Sequence, residues 1–313
     1  MEDVARNRFL IVVGGPTAVG KTGVAIRLAQ HFRTAVLSAD SRQFYREMNI
    51  GTAKPTVEER QGVPHYFIDS LSITETYSVG DFERDALRVL TDLFQRCEVA
   101  VLVGGSGLYL QAVYAGLDAF PPISAATRAC VRAGEEAGGL AWLQQQVAEL
   151  DPAYFERVDR QNPARLRRAL EVCLESGLPF SAFRQQKTEK RPFHALLLRL
   201  QLPRAELYER IHQRVEVMIA AGLEEEARAL MPYRHLPALH TVGYEEWFAF
   251  FEGKINRQQT IEKIKQHTRN YAKRQETWFR KHGEWTTFHP DDWEGMLQWL
   301  QEQIENIYQQ KKL

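Results

Sequence analysis

The sequence has few cysteines and no long apolar segment. None of its apolar runs reaches the roughly 18 residues that a membrane span requires, and the amino-terminal stretch MEDVARNRF contains no apolar signal core. Cys97, Cys130 and Cys173 lie far apart and form no C-x-x-C pair, which argues against a zinc site and against disulfides. We therefore expect a cytoplasmic protein that is not attached to a membrane.

The sequence also lacks a net charge, because 40 Lys and Arg residues balance 40 Asp and Glu residues. An even distribution of these charges would argue against a nucleic acid partner. The distribution is uneven, however: the segment 255–281 contains eight basic residues and two glutamates. A phosphate backbone is recognised by a local basic patch rather than by the total charge, so the composition does not exclude RNA.

Strands and helices alternate through the first hundred residues. Apolar runs predict strands at 9–14, 35–38 and 99–103, and amphipathic segments predict helices at about 21–32 and 79–96. This alternation predicts an α/β fold with a parallel sheet and flanking helices, like that of P-loop NTPases. Ligands of such sheets bind at the carboxyl ends of the strands.

A proline-punctuated loop, DAFPPIS, interrupts this alternation. From 124 to about 190 the pattern is helical, and a strand resumes at 195–202. This predicts a mostly helical insertion within the α/β core. We place the core at residues 1–120 plus 193–313 and the insertion at residues 121–192.

The most specific motif follows the first strand. It reads GPTAVGKT and matches the phosphate-loop pattern G-x-x-x-x-G-K-[ST] in its usual place between a strand and a helix. Glycines let the backbone approach an anion, and the helix start offers N–H groups and a positive dipole end. We expect Lys21 over phosphate oxygens and the Thr22 hydroxyl on Mg²⁺. The predicted phosphate-binding residues are Gly15, Pro16, Thr17, Ala18, Val19, Gly20, Lys21 and Thr22.

The loop alone does not identify its phosphates. An ATPase normally carries an acidic Mg²⁺ ligand at the end of another strand, but the strand at 99–103 ends in GGSG without an acid. The strand at 35–38 leads instead to Asp40, which can act as a general base or Mg²⁺ ligand, or simply as a loop cap. In the following loop, Thr52 and Lys54 are suited to further phosphate contacts.

A second glycine-rich turn, GGSG at 104–107, precedes another helix. Next to a phosphate loop it suggests close approach of the backbone to a ligand, with Ser106 as a hydrogen-bond donor. A tight turn that serves packing alone is the alternative interpretation.

A long helix at about 258–281 carries two stripes of side chains. One stripe should pack on the core and the other, which is basic, should face outward. Because few acids stand at helical spacing and aromatic residues are interleaved, we favour an RNA backbone as its partner over a merely solvated face. The core stripe comprises Ile261, Ile264, Thr268, Tyr271, Gln275 and Trp278, and the basic stripe Lys265, Arg269, Lys273 and Arg280. The insertion is also basic, with Arg157, Arg160, Arg165, Arg167, Arg168, Arg184, Lys187, Lys190 and Arg191.

These motifs together resemble those of the tRNA dimethylallyltransferases (tRNA isopentenyltransferases, the IPP transferase family) over nearly the whole chain. The motifs that carry the resemblance are GPTAVGKT at 15–22, DSRQFY at 40–45, IGTAKP at 50–55, GGSGLYL at 104–110, NPARLRRALE at 162–171, TVGYEE at 241–246 and TRNYAKRQETWFR at 268–280. The chain departs from the family at Val19, where a small polar residue is frequent, and at Ser106, where Thr is usual. It has no Cys/His finger like that of eukaryotic relatives, so it is similar to the shorter bacterial form.

The resemblance implies that the loop holds the diphosphate of dimethylallyl diphosphate rather than ATP. It implies that the acceptor is the exocyclic N6 amine of the adenine that follows the anticodon of a tRNA on its 3′ side, and that Mg²⁺ is the cofactor. The implied catalytic residues are Asp40, Lys21, Thr22 and Arg214. The residues implied to contact the tRNA anticodon stem-loop are Asp40, Ser41, Arg42, Gln43, Ser106, Arg128, Gln161, Asn162, Pro163, Ala164 and Arg165, to which the basic helix adds Arg269 and Lys273. We expect a monomer.

Three alternatives stay open at this stage. An adenylate isopentenyltransferase would use the same donor with free AMP, ADP or ATP, but a free nucleotide needs no basic clamp. A small-molecule kinase would turn over ATP and would need an acidic partner on another strand. A non-enzymatic RNA-binding module would leave Asp40 without a role.

Overall fold

The computed structural model describes residues 7–184 and 190–310 of the chain. The chain divides into two compact units: a core formed by Met1–Ala115 with Lys190–Leu313, and an inserted unit, Gly116–Glu189. Lys190 and Arg191 therefore belong to the core. Lys187, counted above among the basic residues of the insertion, lies outside the described residues.

The core is built on one parallel sheet of six strands in the order β3-β2-β4-β1-β5-β6. This confirms the predicted fold class and the four predicted strands. The strands are β1 Phe9–Gly14, β2 Val36–Ser38, β3 His65–Tyr66, β4 Val99–Val103, β5 His194–Leu200 and β6 Thr286–Phe288. The sequence did not predict β3 and β6, because these short strands, HY and TTF, lack the continuous apolar run that marks β2.

The central strands are buried on both faces, which is why they read as continuous apolar runs. Every residue of β1 and β4 is buried. Alternate side chains of β1 enter different clusters: Ile11 and Val13 pack on one face of the sheet, and Leu10 and Val12 on the other. Helices cover both faces of the sheet. The cavity described below lies beyond the carboxyl end of β2.

Among the described residues, eight α-helices belong to the core. They are α1 Lys21–His31, α2 Val79–Leu93, α3 Gly107–Ala115, α8 Arg204–Ala220, α9 Leu223–Leu230, α10 Tyr244–Phe251, α11 Arg257–Lys281 and α12 Trp293–Gln310. Met296 and Leu300 of α12 are fully buried against the sheet. No helix in the described ranges is long and apolar enough to cross a membrane.

The inserted unit consists of helices around its own apolar core, and its described part contains no strand, as predicted. Its helices are α4 Ala125–Leu150, α5 Pro152–Phe155, α6 Pro163–Ser176 and α7 Phe180–Phe183. Leu143 of α4 and Leu166 and Leu170 of α6 are fully buried in this core. The Asn162 side chain caps the start of α6, and Gly177 ends it in the left-handed conformation, which favours glycine.

Candidate functional site

The phosphate-loop motif forms a tight turn between β1 and α1. Gly15 and Gly20 have φ angles of 144° and 102°, which favour glycine. A side chain at Gly15 would also meet the carbonyl oxygen of Leu200 at 2.7 Å. Val19 is fully buried in the apolar cluster beneath the loop. The departure from the family at Val19 thus lies in the support of the loop.

Lys21 lies where two other charged groups act on it. Its ammonium donates to the Pro16 carbonyl oxygen at 2.7 Å. Burial, together with the Arg214 charge, lowers the pKa of Lys21 to about 7 against the opposing effect of Asp40. Burial also lowers the pKa of Arg214, against the attraction of Asp40 and Glu59. Two cations in a desolvated place with little compensating charge favour the binding of an anion.

The residues at the start of α1 fit a Mg²⁺ ion that is held together with a phosphate. Thr22 is exposed in the first turn, and within the described residues its hydroxyl has no hydrogen-bond partner. The described part of the chain has no group of three or more His, Cys, Asp or Glu side chains that could hold a metal by itself. A phosphate loop needs no such group, because the phosphate supplies oxygen ligands beside the hydroxyl.

Asp40 lies just beyond the carboxyl end of β2 and lines a cavity of about 340 Å³. Its Oδ1 accepts the backbone N–H of Arg42 at 2.9 Å. Asp40 is therefore a loop cap and also a wall of the cavity, so the two interpretations of this residue do not exclude each other. The same cavity is lined by Thr17, Ser41, Arg42, Thr52, Arg214, His240, Thr241, Tyr271 and Arg274, among others.

Arg42 and Gln43, predicted to contact the ligand, also hold the walls of this cavity. The Arg42 guanidinium donates to the carbonyl oxygens of Pro237 and His240 at 3.1 and 3.2 Å. The Gln43 side chain accepts the Ser38 hydroxyl and donates to the Thr52 carbonyl oxygen, both at 3.2 Å. Arg42 thus connects segments that are distant in sequence, whereas Gln43 connects neighbouring loops.

Helix α11 packs directly on the two glycine-rich turns. Gln275, which is buried, accepts the backbone N–H of Thr17 at 2.8 Å and donates to the Gly105 carbonyl oxygen at 2.9 Å. A side chain at Gly107 would meet the Trp278 ring at 2.2 Å. The sequence places Gln275 in a stripe that packs on the core but does not reveal this bridge. Close packing therefore explains the glycines of GGSG.

Tyr271 lines the cavity one turn of α11 before Gln275. Its hydroxyl lies close to the side chain of Ser106, the residue predicted to be a donor. Burial raises the pKa of Tyr271 to about 12, with a contribution from the charge of Asp40. The phenol stays protonated at neutral pH and can donate a hydrogen bond.

The prediction that Lys54 contacts phosphate is wrong. The Lys54 ammonium donates to the Tyr45 carbonyl oxygen, to the Asn49 side chain and to Asp69, and its side chain is only 5% exposed. Its three N–H groups are thus used inside the loop. The Thr52 hydroxyl donates to the Met48 carbonyl oxygen at 2.9 Å.

The basic stripe of α11 is only partly outward-facing, which corrects the prediction for Lys265. Lys265 pairs with Glu216 of α8 at 2.7 Å and with Glu262 at 3.2 Å, and its side chain is 15% exposed. The Arg269 guanidinium contacts His212 Nε2 at 2.5 Å and lies over the Tyr208 ring. The acids and rings that compensate these charges come mostly from α8.

Lys273 and Arg280, by contrast, are exposed and line a second cleft of about 270 Å³ beside Pro16. Arg199 and Arg204 line the same cleft, which holds a single acid, Glu276. None of these four basic residues forms an ion pair within the described residues. The cleft therefore presents an excess of positive charge next to the phosphate loop.

Several predicted RNA contacts lie in the inserted unit. Arg128, Gln161, Pro163, Ala164 and Arg165 are exposed there, whereas Asn162 is half-buried as the cap of α6. Of the other basic residues, Arg167 forms a bidentate pair with Glu135 at 2.6 Å. Arg191, in the core, pairs with Glu83. Arg167 and Arg191 are thus already compensated.

The structure therefore brings together Thr17, Lys21, Asp40, Arg214 and Tyr271 at the carboxyl edge of a parallel sheet. It defines a phosphate-loop α/β protein with an anion site that adjoins a polar cavity. That combination of an anion site and a neighbouring carboxylate is typical of group-transfer enzymes rather than of binding modules.

Comparison with known proteins identifies the family. The model of the IPP transferase family matches residues 43–282. The chain is 49% identical over 286 residues to a tRNA dimethylallyltransferase of Christiangramia forsetii, covering 91% of this chain and 95% of the relative. It is 43% identical over 298 residues to tRNA dimethylallyltransferase 1 of Bacteroides fragilis, covering 95% and 99%.

Solved structures agree with this. The full-length tRNA isopentenylpyrophosphate transferase of Bacillus halodurans superposes with a TM-score of 0.71 at 32% identity, covering 98% of each chain. A eukaryotic dimethylallyltransferase acting on tRNA gives 0.74 at 26% identity, covering 87% of this chain and 70% of that one. The chain belongs to the IPP transferase family, the tRNA dimethylallyltransferases. Its relatives fit the tRNA-directed interpretation and not the free-nucleotide or kinase alternatives.

Proposed function

We propose that the protein transfers a dimethylallyl group from dimethylallyl diphosphate to the N6 amine of the adenine 3′-adjacent to the anticodon of tRNAs, and releases pyrophosphate. The observation that carries this assignment is the mutual electrostatic influence of Lys21, Arg214 and Asp40, of which Arg214 and Asp40 line the cavity. The two cations suit a diphosphate leaving group, and the carboxylate suits an amine that must lose a proton.

The donor diphosphate binds to the phosphate loop, residues 15–22, with Lys21 and Arg214 on its oxygens. These cations and the N–H groups at the start of α1 stabilise the negative charge that accumulates on the leaving pyrophosphate. The Thr22 hydroxyl would help to hold Mg²⁺ beside the diphosphate, and the ion would supply further charge stabilisation as a Lewis acid. An allylic carbon tolerates positive character, so stabilisation of the leaving group contributes most of the rate.

The acceptor adenine leaves its stack in the anticodon loop and enters the cavity beside Asp40. In the transfer step the N6–carbon bond forms, the carbon–oxygen bond to the diphosphate breaks, and the amine proton passes to Asp40. Ser41, Arg42, Gln43 and Ser106 surround this place in the core.

The tRNA backbone is held by basic and polar side chains of both units. In the core these are Lys273 in the second cleft and Arg269 beside it. In the inserted unit they are Arg128 and residues 161–165, of which Arg165 carries the charge. The enzyme acts as a cytoplasmic monomer.

A transfer assay without ATP tests the assignment. Purified protein, Mg²⁺, labelled dimethylallyl diphosphate and an unmodified tRNA with adenine next to the anticodon are incubated, and label in the RNA is counted. We expect label on that adenine and none on added AMP. Label on AMP alone, or consumption of ATP without prenyl transfer, would refute the assignment.

A further inference from the structure

Glu226, in the first turn of α9, gathers hydrogen bonds from two distant parts of the chain. One oxygen accepts the backbone N–H groups of Asn49 and Ile50 at 3.0 and 2.9 Å. The other accepts the backbone N–H of Gly51 at 3.0 Å and the hydroxyl of Tyr244 at 2.6 Å. Three consecutive backbone donors and one phenol thus converge on one carboxylate, whose two oxygens accept all four hydrogen bonds.

The two segments that Glu226 joins form a wall of the cavity that holds Asp40. Gly51 and Thr52 line it from the loop that follows β2, and Gly243 lines it just before Tyr244. The contact between them is close: a side chain at Gly51 would meet the Tyr244 ring at 2.6 Å. Tyr244 is fully buried, so its ring is a fixed support for this loop.

The same wall is connected to the loop of Asp40. Gln43, three residues after Asp40, donates its side-chain N–H groups to the carbonyl oxygens of Thr52 and Ala53 at 3.2 and 3.3 Å. A displacement of residues 49–53 would therefore move Gln43 and the loop that presents the carboxylate. Glu226 itself is not among the residues that line the cavity, so it acts through this wall.

We propose that Glu226 is a positioning residue for the acceptor side of the site: by holding residues 49–52 against Tyr244, it fixes where the adenine amine meets Asp40. This inference rests on the proposed function. It explains why IGTAKP and TVGYEE, neither of which carries the phosphate loop, stand beside the cavity. Donor binding depends on Lys21 and the phosphate loop, which Glu226 does not contact.

The variant Glu226→Gln tests the proposal. The glutamine side chain has a similar size, but its N–H₂ group replaces one of the two oxygens. In one orientation this group faces the two backbone donors, and in the other it faces one backbone donor and the phenol. Two hydrogen bonds are lost in either case. We expect kcat/KM for tRNA to fall by about ten- to a hundredfold, the range for a misplaced acceptor. The KM for dimethylallyl diphosphate and the affinity for pyrophosphate should change by less than about twofold, because Glu226 does not contact the residues that bind the donor.

Two further variants complete the experiment. Glu224→Gln changes a neighbouring residue of α9 that pairs with Arg228 and Arg257 and should leave every constant near the wild-type value. Tyr244→Phe removes one of the four hydrogen bonds and should cause a smaller loss in the same direction, so it reports on the wall even where Glu226→Gln folds poorly.

Unchanged tRNA kinetics in Glu226→Gln, or an equal loss for donor and acceptor, would overturn the positioning role. The wild-type reaction in the same assay reports separately on the proposed function. If the wild type transfers no prenyl group to tRNA, that function fails and the inference with it; if only the variants deviate from expectation, the inference alone fails.

Discussion

The side-chain oxygen of Gln275 accepts the backbone N–H of Thr17 at 2.8 Å, across 258 residues of sequence. The same side chain donates to Gly105. One carboxamide thus joins α11 to the phosphate loop and to the second glycine-rich turn, and it fixes the distance between the two.

Replacement of Gln275 by Glu should impair donor binding. A carboxylate still accepts the Thr17 N–H but cannot donate to the Gly105 carbonyl oxygen, and it brings negative charge towards the diphosphate. An unmade buried hydrogen bond costs about 1–3 kcal/mol, so the KM for dimethylallyl diphosphate should rise about tenfold or more. Steady-state kinetics measures this. Gln266→Glu, the same exchange at an exposed position of α11, should have no such effect, and equal effects would contradict the bridging role.

Replacement of Asp40 by Asn should abolish most catalysis while tRNA binding persists. Asn keeps an oxygen for the Arg42 N–H, so the loop is retained, but it cannot take the amine proton. A general base contributes about 10²–10⁴-fold, and single-turnover transfer should slow by that factor. A filter-binding assay provides the control, with a dissociation constant for tRNA close to that of the wild type. Undiminished transfer would rule out the general-base role.

Lys21 makes donor binding depend on pH. Its pKa is about 7 in the free protein, against 10.5 ordinarily, and a bound diphosphate favours the ammonium and raises that pKa. Binding above pH 7 should therefore take up about one proton, and the Lys21 contribution to affinity should fall as the pH rises. Calorimetry at pH 8 in buffers of different ionisation enthalpy measures the uptake. Lys21→Arg, which stays charged, should remove it; uptake that persists in this variant would assign the proton to another group.

The lowered pKa of Lys21 also determines whether the free energy of unfolding rises or falls with pH. Between pH 7 and 10.5 the unfolded chain keeps the Lys21 proton that the folded chain has released. This group alone therefore makes the free energy of unfolding increase with pH in that window.

Gly107→Ala should destabilise the core. The added methyl group would stand 2.2 Å from the Trp278 ring, and relief of such overpacking costs about 1–3 kcal/mol. Urea unfolding measures the loss. Gly23→Ala is the matched control, because nothing lies within 4 Å of its added methyl group; a glycine inside a helix is replaced by alanine with a gain of about 0.5–1 kcal/mol. Equal unfolding free energies for the two variants would contradict the packing argument.

Lys273→Ala should weaken tRNA binding by removing one contact to the phosphate backbone of the RNA. The slope of log affinity against log salt should become shallower by about one unit, as for the loss of one phosphate contact. Lys265→Ala is the comparison, because Lys265 is already paired with Glu216 and Glu262, and its slope should change less. A larger change for Lys265 would contradict the assignment of the second cleft.

The sequence predicted those features that are local. The phosphate loop stands out because strand, turn and helix follow one another within 23 residues of Phe9–His31. Asp40 could be placed at the site because strand ends of a parallel sheet share one edge. The helical insertion could be predicted because its periodicity extends over many residues.

What the sequence did not predict depends on partners that are distant along the chain. Gln275 was expected only to pack, since Thr17 and Gly105 are remote from it. The sequence suggests that Lys54 is free to bind phosphate. Its acceptors Asp69 and Tyr45 come near it only in the folded loop. The pattern of α11 alone predicts that Lys265 faces outward. Its partner Glu216 belongs to another helix, and the sequence does not show that the two meet.

Helix α11 presents Tyr271 to the cavity, Gln275 to the two turns and Lys273 to the second cleft. These three contacts lie within five residues of a single rigid rod, and each residue is turned about 100° from the one before. The loss or gain of one residue between Thr268 and Trp278 would rotate every later side chain into its neighbour's direction. The segment therefore tolerates single substitutions better than insertions or deletions, because a change of length misplaces all of these side chains at once.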